Sequence, residues 1–373
     1  MRGIVINALQ YKQNSSGIGV MIRELFTRYT ALTDRPCRVV LPNDGPDFPA
    51  SPETEQIRIP WAHGQNLRRM LFQTVFLGRR YGRNAVLLTT DSKTPFFLPR
   101  SCRVVPLVTD LAVFRMPEVY QMSRVLWWRF QYRYLCRRAA LFLAISEFTK
   151  REMTAVLKIP PERIRVVPCA ASDKLAPVTD PGKLRMLRAR YGLPERFVLF
   201  VGNNNPRKNL DRLIRAFDRA REHGRIPHHL VIAGEQGWKF DPEEILRMVH
   251  HRDAVRFIGF VPDEDMPALY SAADLFLFPT LYEGFGIPVL EAQLCGTPVL
   301  TSNGSSLPEV GGAGCMYVDP CDEEDICGGI LRVLQDPAVS AELIQKGFEN
   351  TRRFSWEDSA RRLHQIIEED VTQ

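Results

Sequence analysis

Short apolar runs recur along this chain, each ending in a turn rich in small or polar residues that leads into a segment of helical spacing. In the first half they fall at residues 4–8, 38–41, 85–89, 103–108, 141–145 and 164–167. In the second they fall at 196–201, 230–233, 255–258, 275–278 and 299–301. Strands that are apolar on both faces and alternate with helices bury themselves only as parallel sheets covered on each side. The pattern therefore predicts an α/β protein built on doubly wound parallel sheets. At 373 residues the chain is long enough for two such domains. The stretch 171–181, rich in Pro, Asp and small residues, reads as the linker, giving domains at 1–175 and 176–355. A final helix, 356–369 within a C-terminal segment 356–373, is long enough to pack back across that linker.

Charge is divided unevenly. Residues 1–175 hold 27 Lys and Arg against 13 Asp and Glu, whereas the remainder holds 22 against 30. A basic first half implies an anionic partner such as a phosphorylated lipid or an acidic membrane surface. Two helix patterns concentrate it: 66–83, with Arg68, Arg69, Arg79, Arg80 and Arg83, and 120–138, where arginines alternate with Trp127, Trp128, Phe130, Tyr132 and Tyr134. Such helices suit a membrane interface, although apolar residues at this spacing also serve as a domain's own core face. No nucleic-acid-binding module accompanies the charge, and no nucleic-acid partner is expected. No apolar run approaches the roughly 20 residues that span a bilayer, and the first residues read as a strand, so a cytoplasmic location is expected. The eight cysteines lack the spacing of a zinc site or a redox pair and read as reduced thiols, with no metal site.

Three stretches carry candidate chemistry. After the first strand, Asn14, Ser15, Ser16, Gly17, Ile18 and Gly19 form a turn whose backbone could approach a phosphate or sugar as a helix begins, or simply a capped strand-to-helix turn. After the strand at 196–201, Gly202, Asn203, Asn204, Asn205, Pro206, Arg207, Lys208 and Asn209 place two cations at a helix start. Positive side chains there oppose the helix dipole, a conflict an anionic ligand would remove; the alternative is a chance surface pair. From the end of the strand at 275–278, FPTLYEGFGIPVLEAQLCGTP carries Glu283 on a Gly-rich loop and Glu291 one to two turns into a helix, either as ligand-binding carboxylates or as a loop carboxylate favoured near a helix start and a simply solvated one. Thr109 and Asp110 also end a strand, the place where open α/β sheets bind ligands. Ser146 reads as an N-cap; Asp263, Glu264 and Asp265 form a D-x-D, a spacing that can hold a divalent metal on a sugar nucleotide, but following Pro262 and preceding a helix they read better as its cap.

The run VGNNNPRKN, the seven-residue spacing of Glu283 and Glu291 inside LYEGFGIPVLEAQLCGTPV, the following LPEVGG and the earlier AISEFTK together resemble retaining glycosyltransferases of family 4. That resemblance covers nearly the whole chain and is strongest over 197–320. It implies the GT-B fold, two facing Rossmann-like domains, with a nucleotide-diphosphate sugar as donor substrate and no further cofactor. By the same resemblance Arg207 and Lys208 hold the diphosphate, Glu283 contacts sugar hydroxyls and Glu291 the ribose. Gly17, Gly19, Gly202, Asn203, Gly234, Val261, Gly284, Phe285, Gly286 and Ile287 complete the donor site. Glu283, Arg207, Lys208 and Asp110 form the catalytic set. Many relatives carry a His directly before the residue that is Asp110 here; this chain has Thr109, which cannot take a proton near neutral pH. The expected activity is transfer of a hexose or deoxyhexose, mannose or rhamnose first and glucose next, to a polyprenyl-diphosphate-linked or other glycan acceptor, with a sugar-nucleotide epimerase or a non-catalytic binding subunit as rivals.

Overall fold

A computed structural model describes residues 2–11, 17–62, 64, 66–90, 95–224, 226–235, 237 and 241–371. The chain divides into two compact units, residues 1–169 with 354–373, and residues 170–353. Each is built on one parallel sheet.

In the first unit seven strands lie in the order β3-β2-β1-β4-β5-β6-β7. They are β1 Gly3–Asn7, β2 Cys37–Leu41, β3 Glu55–Arg58, β4 Ala85–Thr90, β5 Arg103–Val108, β6 Phe142–Ala144 and β7 Ile164–Val166. In the second, six strands run β10-β9-β8-β11-β12-β13. These are β8 Phe197–Val201, β9 His229–Ala233, β10 Val255–Gly259, β11 Leu275–Phe278, β12 Val299–Ser302 and β13 Cys315–Val318. Every strand pair in both sheets is parallel. Strand order therefore reverses beside β1 and β4 in one sheet and beside β8 and β11 in the other, and ligands of such sheets bind outside the carboxyl ends at the reversal. The central strands are fully buried, as their unbroken apolar runs require, with Phe197, Phe200, Phe276 and Phe278 all at 0% exposure.

Two strands escape the sequence pattern. β3 reads EQIR and lies at a sheet edge with most of its residues exposed, so no apolar run announces it. β13 reads CMYV and lies at the opposite edge of the other sheet, in a region whose sequence suggested helices alone. The expected helix over 66–83 is also broken. It runs as α-helix over Asn66–Leu71, widens to a π-helical turn over Phe72–Phe76 and resumes over Leu77–Tyr81. At the break the Thr74 hydroxyl donates to the Met70 and Leu71 carbonyls at 2.8 and 3.2 Å, a back-bonding geometry that loosens helical turns. Ser146 caps its helix, accepting from the Thr149 amide at 3.0 Å.

The last helix, Trp356–Ile366, belongs to the first unit and packs along the helix Ile18–Leu32. Trp356 is wholly buried there, and the Ser359 hydroxyl donates to the Pro168 carbonyl at 2.7 Å. Just beyond, Arg35 forks onto both oxygens of Glu368 at 2.6 Å, which holds the Glu368 carboxyl below its usual range. All eight cysteines are free thiols. Replacing Trp356 with Ala is expected to destabilise the first unit by about 3–5 kcal/mol, the cost of emptying a large buried aromatic site. Urea unfolding followed by circular dichroism measures it, and a loss below about 1 kcal/mol would show that the helix contributes little to the core.

Candidate active site

The site residues of the second unit gather on two loops, one after β8 and one after β11, at the point where strand order reverses. At single points the backbone leaves no room for a side chain. Gly234, with φ +138°, would carry a Cβ 2.1 Å from the Gly202 carbonyl oxygen, so glycine is required where the loops after β8 and β9 meet. Two hydrogen bonds tie those loops, Gly202 N to Ala233 O at 2.9 Å and Asn204 N to Glu235 O at 3.1 Å. Asn203 is exposed beside them, and Val261, after β10, is buried at 6% exposure.

Pro206–Lys208 then makes a single 3-10 turn, and Asn209 takes a left-handed conformation at φ +60° before the helix Leu210–Gly224. The buried Asn209 amide donates to Pro279 O at 2.9 Å and Pro320 O at 2.7 Å, reaching the loops after β11 and β13 together. A bond from Leu281 N to Arg207 O at 2.9 Å completes the stitch. These contacts set Lys208 against Glu283. Its ammonium lies 2.8 Å from Glu283 Oε1 and 4.7 Å from the centre of the Phe278 ring, with both charged side chains about nine-tenths buried. Part of the expected conflict between two cations and a helix start is thus resolved inside the protein, because Glu283 meets the Lys208 charge.

The Glu283 loop is held from behind. The Ser306 hydroxyl lies 2.9 Å from the Glu283 carbonyl oxygen and 2.8 Å from that of Phe285, shared between them as donor. Gly286, at φ +106°, begins the helix Ile287–Leu294, and a Cβ there would come within 2.6 Å of Leu307. No side chain caps this helix start, and Pro288 occupies its first turn. Backbone amides at Gly286 and Ile287 stand at the positive end of the helix dipole.

Glu291, in the second turn, accepts a hydrogen bond from the Tyr270 hydroxyl on Oε2 at 2.8 Å. Tyr270 is fully buried and fixed at its backbone by the Thr297 hydroxyl, which donates to its carbonyl at 2.7 Å. Burial pushes the Glu291 carboxyl up to about 7; the Tyr270 hydroxyl opposes this and the Asp263 charge adds to it. Burial likewise holds the Tyr270 phenol well above its usual range. Tyr270 and Ser306 had no signal in the sequence, since each acts on a residue more than twenty positions away. In the acidic run nearby, the residue at the N-cap position does not cap the helix with its side chain. Asp265 stands at the N-cap of Met266–Ser271, but its carboxylate accepts from Tyr191 and Arg190 at 2.6 and 2.7 Å instead.

The remaining sequence-predicted residues belong to the first unit. Gly17, at φ +58°, is the N-cap residue of Ile18–Leu32, and Gly19 is buried in the first turn. Asn14, Ser15 and Ser16 lie outside the described residues. Thr109 and Asp110 follow β5 directly, half-buried, with Asp110 Oδ1 accepting from the Ala112 amide at 2.9 Å.

Cations, carboxylates and an uncapped helix start are thus gathered at the reversal point of one parallel sheet, an arrangement suited to an anionic ligand that also carries hydroxyls. Residues 187–350 match the family model described as glycosyl transferases group 1, and residues 16–170 match the glycosyl transferase 4-like domain. The O-antigen chain mannosyltransferase B of Escherichia coli is 34% identical over 269 residues, covering 70% of each chain. The serotype-specific mannosyltransferase WbdA of Escherichia coli is 32% identical over 231 residues, 60% of this chain but only 28% of that much longer protein. Among solved structures, sucrose-phosphate synthase from Thermosynechococcus elongatus superposes with a TM-score of 0.77 over 99% of this chain and 98% of its own, at 21% identity. The chain belongs to the group 1 glycosyl transferases, glycosyltransferase family 4.

The raised Glu291 carboxyl makes stability depend on pH. Folded protein binds a proton there that the unfolded chain releases near 4.5, so stability falls as pH rises from about 4.5 to about 7 and then levels. Allowing for the solvent that reaches this half-buried group, the loss is on the order of 2–3 kcal/mol. Glu291→Gln keeps the acceptor for Tyr270 and removes the charge. It is expected to melt higher than the parent at pH 8 and equally at pH 4.5; equal melting at both values would refute the assignment.

Proposed function

We propose that this protein is a retaining glycosyltransferase that moves a hexose or deoxyhexose, mannose or rhamnose first and glucose next, from a nucleoside-diphosphate sugar to a lipid-linked or polysaccharide acceptor in cell-surface glycan assembly. The observation that carries the reading is the pairing of Lys208 with Glu283 beside Arg207 and the uncapped start of the helix Ile287–Leu294. The mannosyltransferase relatives support mannose as the sugar and O-antigen-like polymer as the product class.

In this reading the donor diphosphate lies against Arg207, Lys208 and the amides near Phe285–Ile287. Glu283, one oxygen fixed by Lys208, offers the other to sugar hydroxyls. Glu291, held on Oε2 by Tyr270, presents Oε1 to the ribose. The bond from the anomeric carbon to the diphosphate oxygen breaks while the acceptor hydroxyl oxygen bonds to that carbon on the same face. The hydroxyl proton passes to the departing phosphate oxygen, and the nucleoside diphosphate leaves. Negative charge grows on the leaving group, where fixed cations and helix amides stabilise it most. No protein base is required, which accommodates Thr109 beside Asp110.

A thermal-shift screen against GDP-, UDP- and dTDP-sugars identifies the donor, since a ligand at 100 times its dissociation constant adds about 2.7 kcal/mol. Incubation with that donor and a lipid-linked glycan, followed by NMR of the product, is expected to show the donor's anomeric configuration retained. An inverted product would overturn the mechanism, and epimerised donor without acceptor would favour a sugar-nucleotide epimerase. Arg207→Ala is expected to weaken nucleoside-diphosphate binding by about 1.5–3 kcal/mol in calorimetric titration, the scale of a lost charged hydrogen bond. Unchanged affinity would remove Arg207 from the phosphate site.

A further inference from the structure

The helix Met122–Arg138 has two separate apolar faces. Val125, Tyr132 and Leu135, each at 1% exposure or less, turn into the first unit's core. Met122, Leu126 and Phe130, four residues apart, are 65%, 57% and 57% exposed, with Trp127 at 37% beside them. The core requirement of the helix is therefore met without these four. Further along the same outer face, Arg129, Arg133 and Arg137 repeat at the same spacing and line an open cavity of about 340 Å³ whose other walls include Phe114, Val156 and Leu157.

The exposed apolar surface continues beyond this helix. Phe96 packs its ring against Trp127, Phe130 and Tyr134 at 5.2 to 5.9 Å, and its amide donates to Thr74 O at 2.7 Å. Arg79 stacks over the exposed Phe97 at 4.7 Å. The short segment around Phe96 thereby joins the broken helix over 66–81, with Leu67, Leu71 and Phe76 exposed, to the aromatic helix. Neither helical stretch, Asn66–Tyr81 nor Met122–Arg138, contains an Asp or Glu, and together they hold nine arginines.

We propose that this face of the first unit docks on an anionic lipid bilayer, with the Met122–Phe130 side chains entering the headgroup–acyl boundary and the Arg129–Arg133–Arg137 cavity seating lipid phosphates. Exposed aliphatic and aromatic side chains on helical stretches whose only charged residues are arginines match an interface that is apolar below and negatively charged above. A soluble acidic protein would satisfy the arginines but not the protruding apolar row. No helix among the described residues is long and apolar enough to cross a membrane, so contact is by one face. The inference stands on the surface alone and does not depend on the donor-site reading.

The test is flotation of the full chain with vesicles of phosphatidylethanolamine containing about one quarter phosphatidylglycerol, against phosphatidylcholine vesicles. Binding is expected to the anionic vesicles only, and to weaken as salt is raised. The double variant Met122→Glu/Leu126→Glu alters exposed positions and should lower the partition coefficient roughly tenfold or more. Arg133→Gln/Arg137→Gln should lower it several-fold and flatten the salt dependence. Both variants are expected to keep the parent's melting temperature and donor-induced thermal shift, which separates failure of docking from failure of the donor site. Absence of parent binding to anionic vesicles, equal binding by both variants, or burial of the patch in a lipid-free dimer seen by light scattering would overturn the proposal.

Discussion

The Lys208–Glu283 ion pair is the contact on which the arrangement of the second unit's site rests. Taking both charges almost wholly out of water costs several kcal/mol per ion, and the attraction offsets this only when geometry is fixed. The fold supplies that fixity through the side-chain amide of Asn209, which bonds two other loops directly beside Lys208. Ser306 does the equivalent for Glu283 from the opposite side. A charged pair held in this way is a preset electrostatic pattern, one that needs little rearrangement when a polar ligand arrives.

How much of this was legible in the sequence depends on the range over which each signal acts. Buried central strands such as LFLF of β11 announce themselves because every residue must be apolar. β3, by contrast, lies at an edge and is mostly wet, so EQIR carries no burial signal. The broken helix over 66–81 was hidden because a hydroxyl bonding back to its own turn leaves the apolar spacing unchanged. At the site, glycine and proline marked the loops after β8 and β11, and the two glutamates stood out by spacing. That Lys208 would meet Glu283, 75 residues away, or that Tyr270 would hold Glu291, follows only from which strands become neighbours. The sequence thus located the loops, and the sheet order decided which side chains meet.

The two units also differ in what they leave exposed. In the second, partners for charge are found internally, as with Asp265 between Tyr191 and Arg190 or Arg215 on Glu323. The first carries the chain's excess of arginine together with most of its large exposed apolar side chains. The aromatic helix, read from sequence as either core or interface, fills the core with one face and leaves the other outside it.

The packing of Trp356–Ile366 on the first unit bears on the order in which the molecule is made. Residues 170–353 form a complete unit that a ribosome releases as one continuous stretch, whereas the first unit lacks part of its core until the segment after 353 has emerged. Domains fold as units during synthesis, ordinarily from the N-terminus onward. Here the unit whose synthesis begins first is the one completed last. Until then the face of Ile18–Leu32 that will receive Trp356 is uncovered, so a chain stopped after residue 353 would hold a finished second unit joined to an unfinished first.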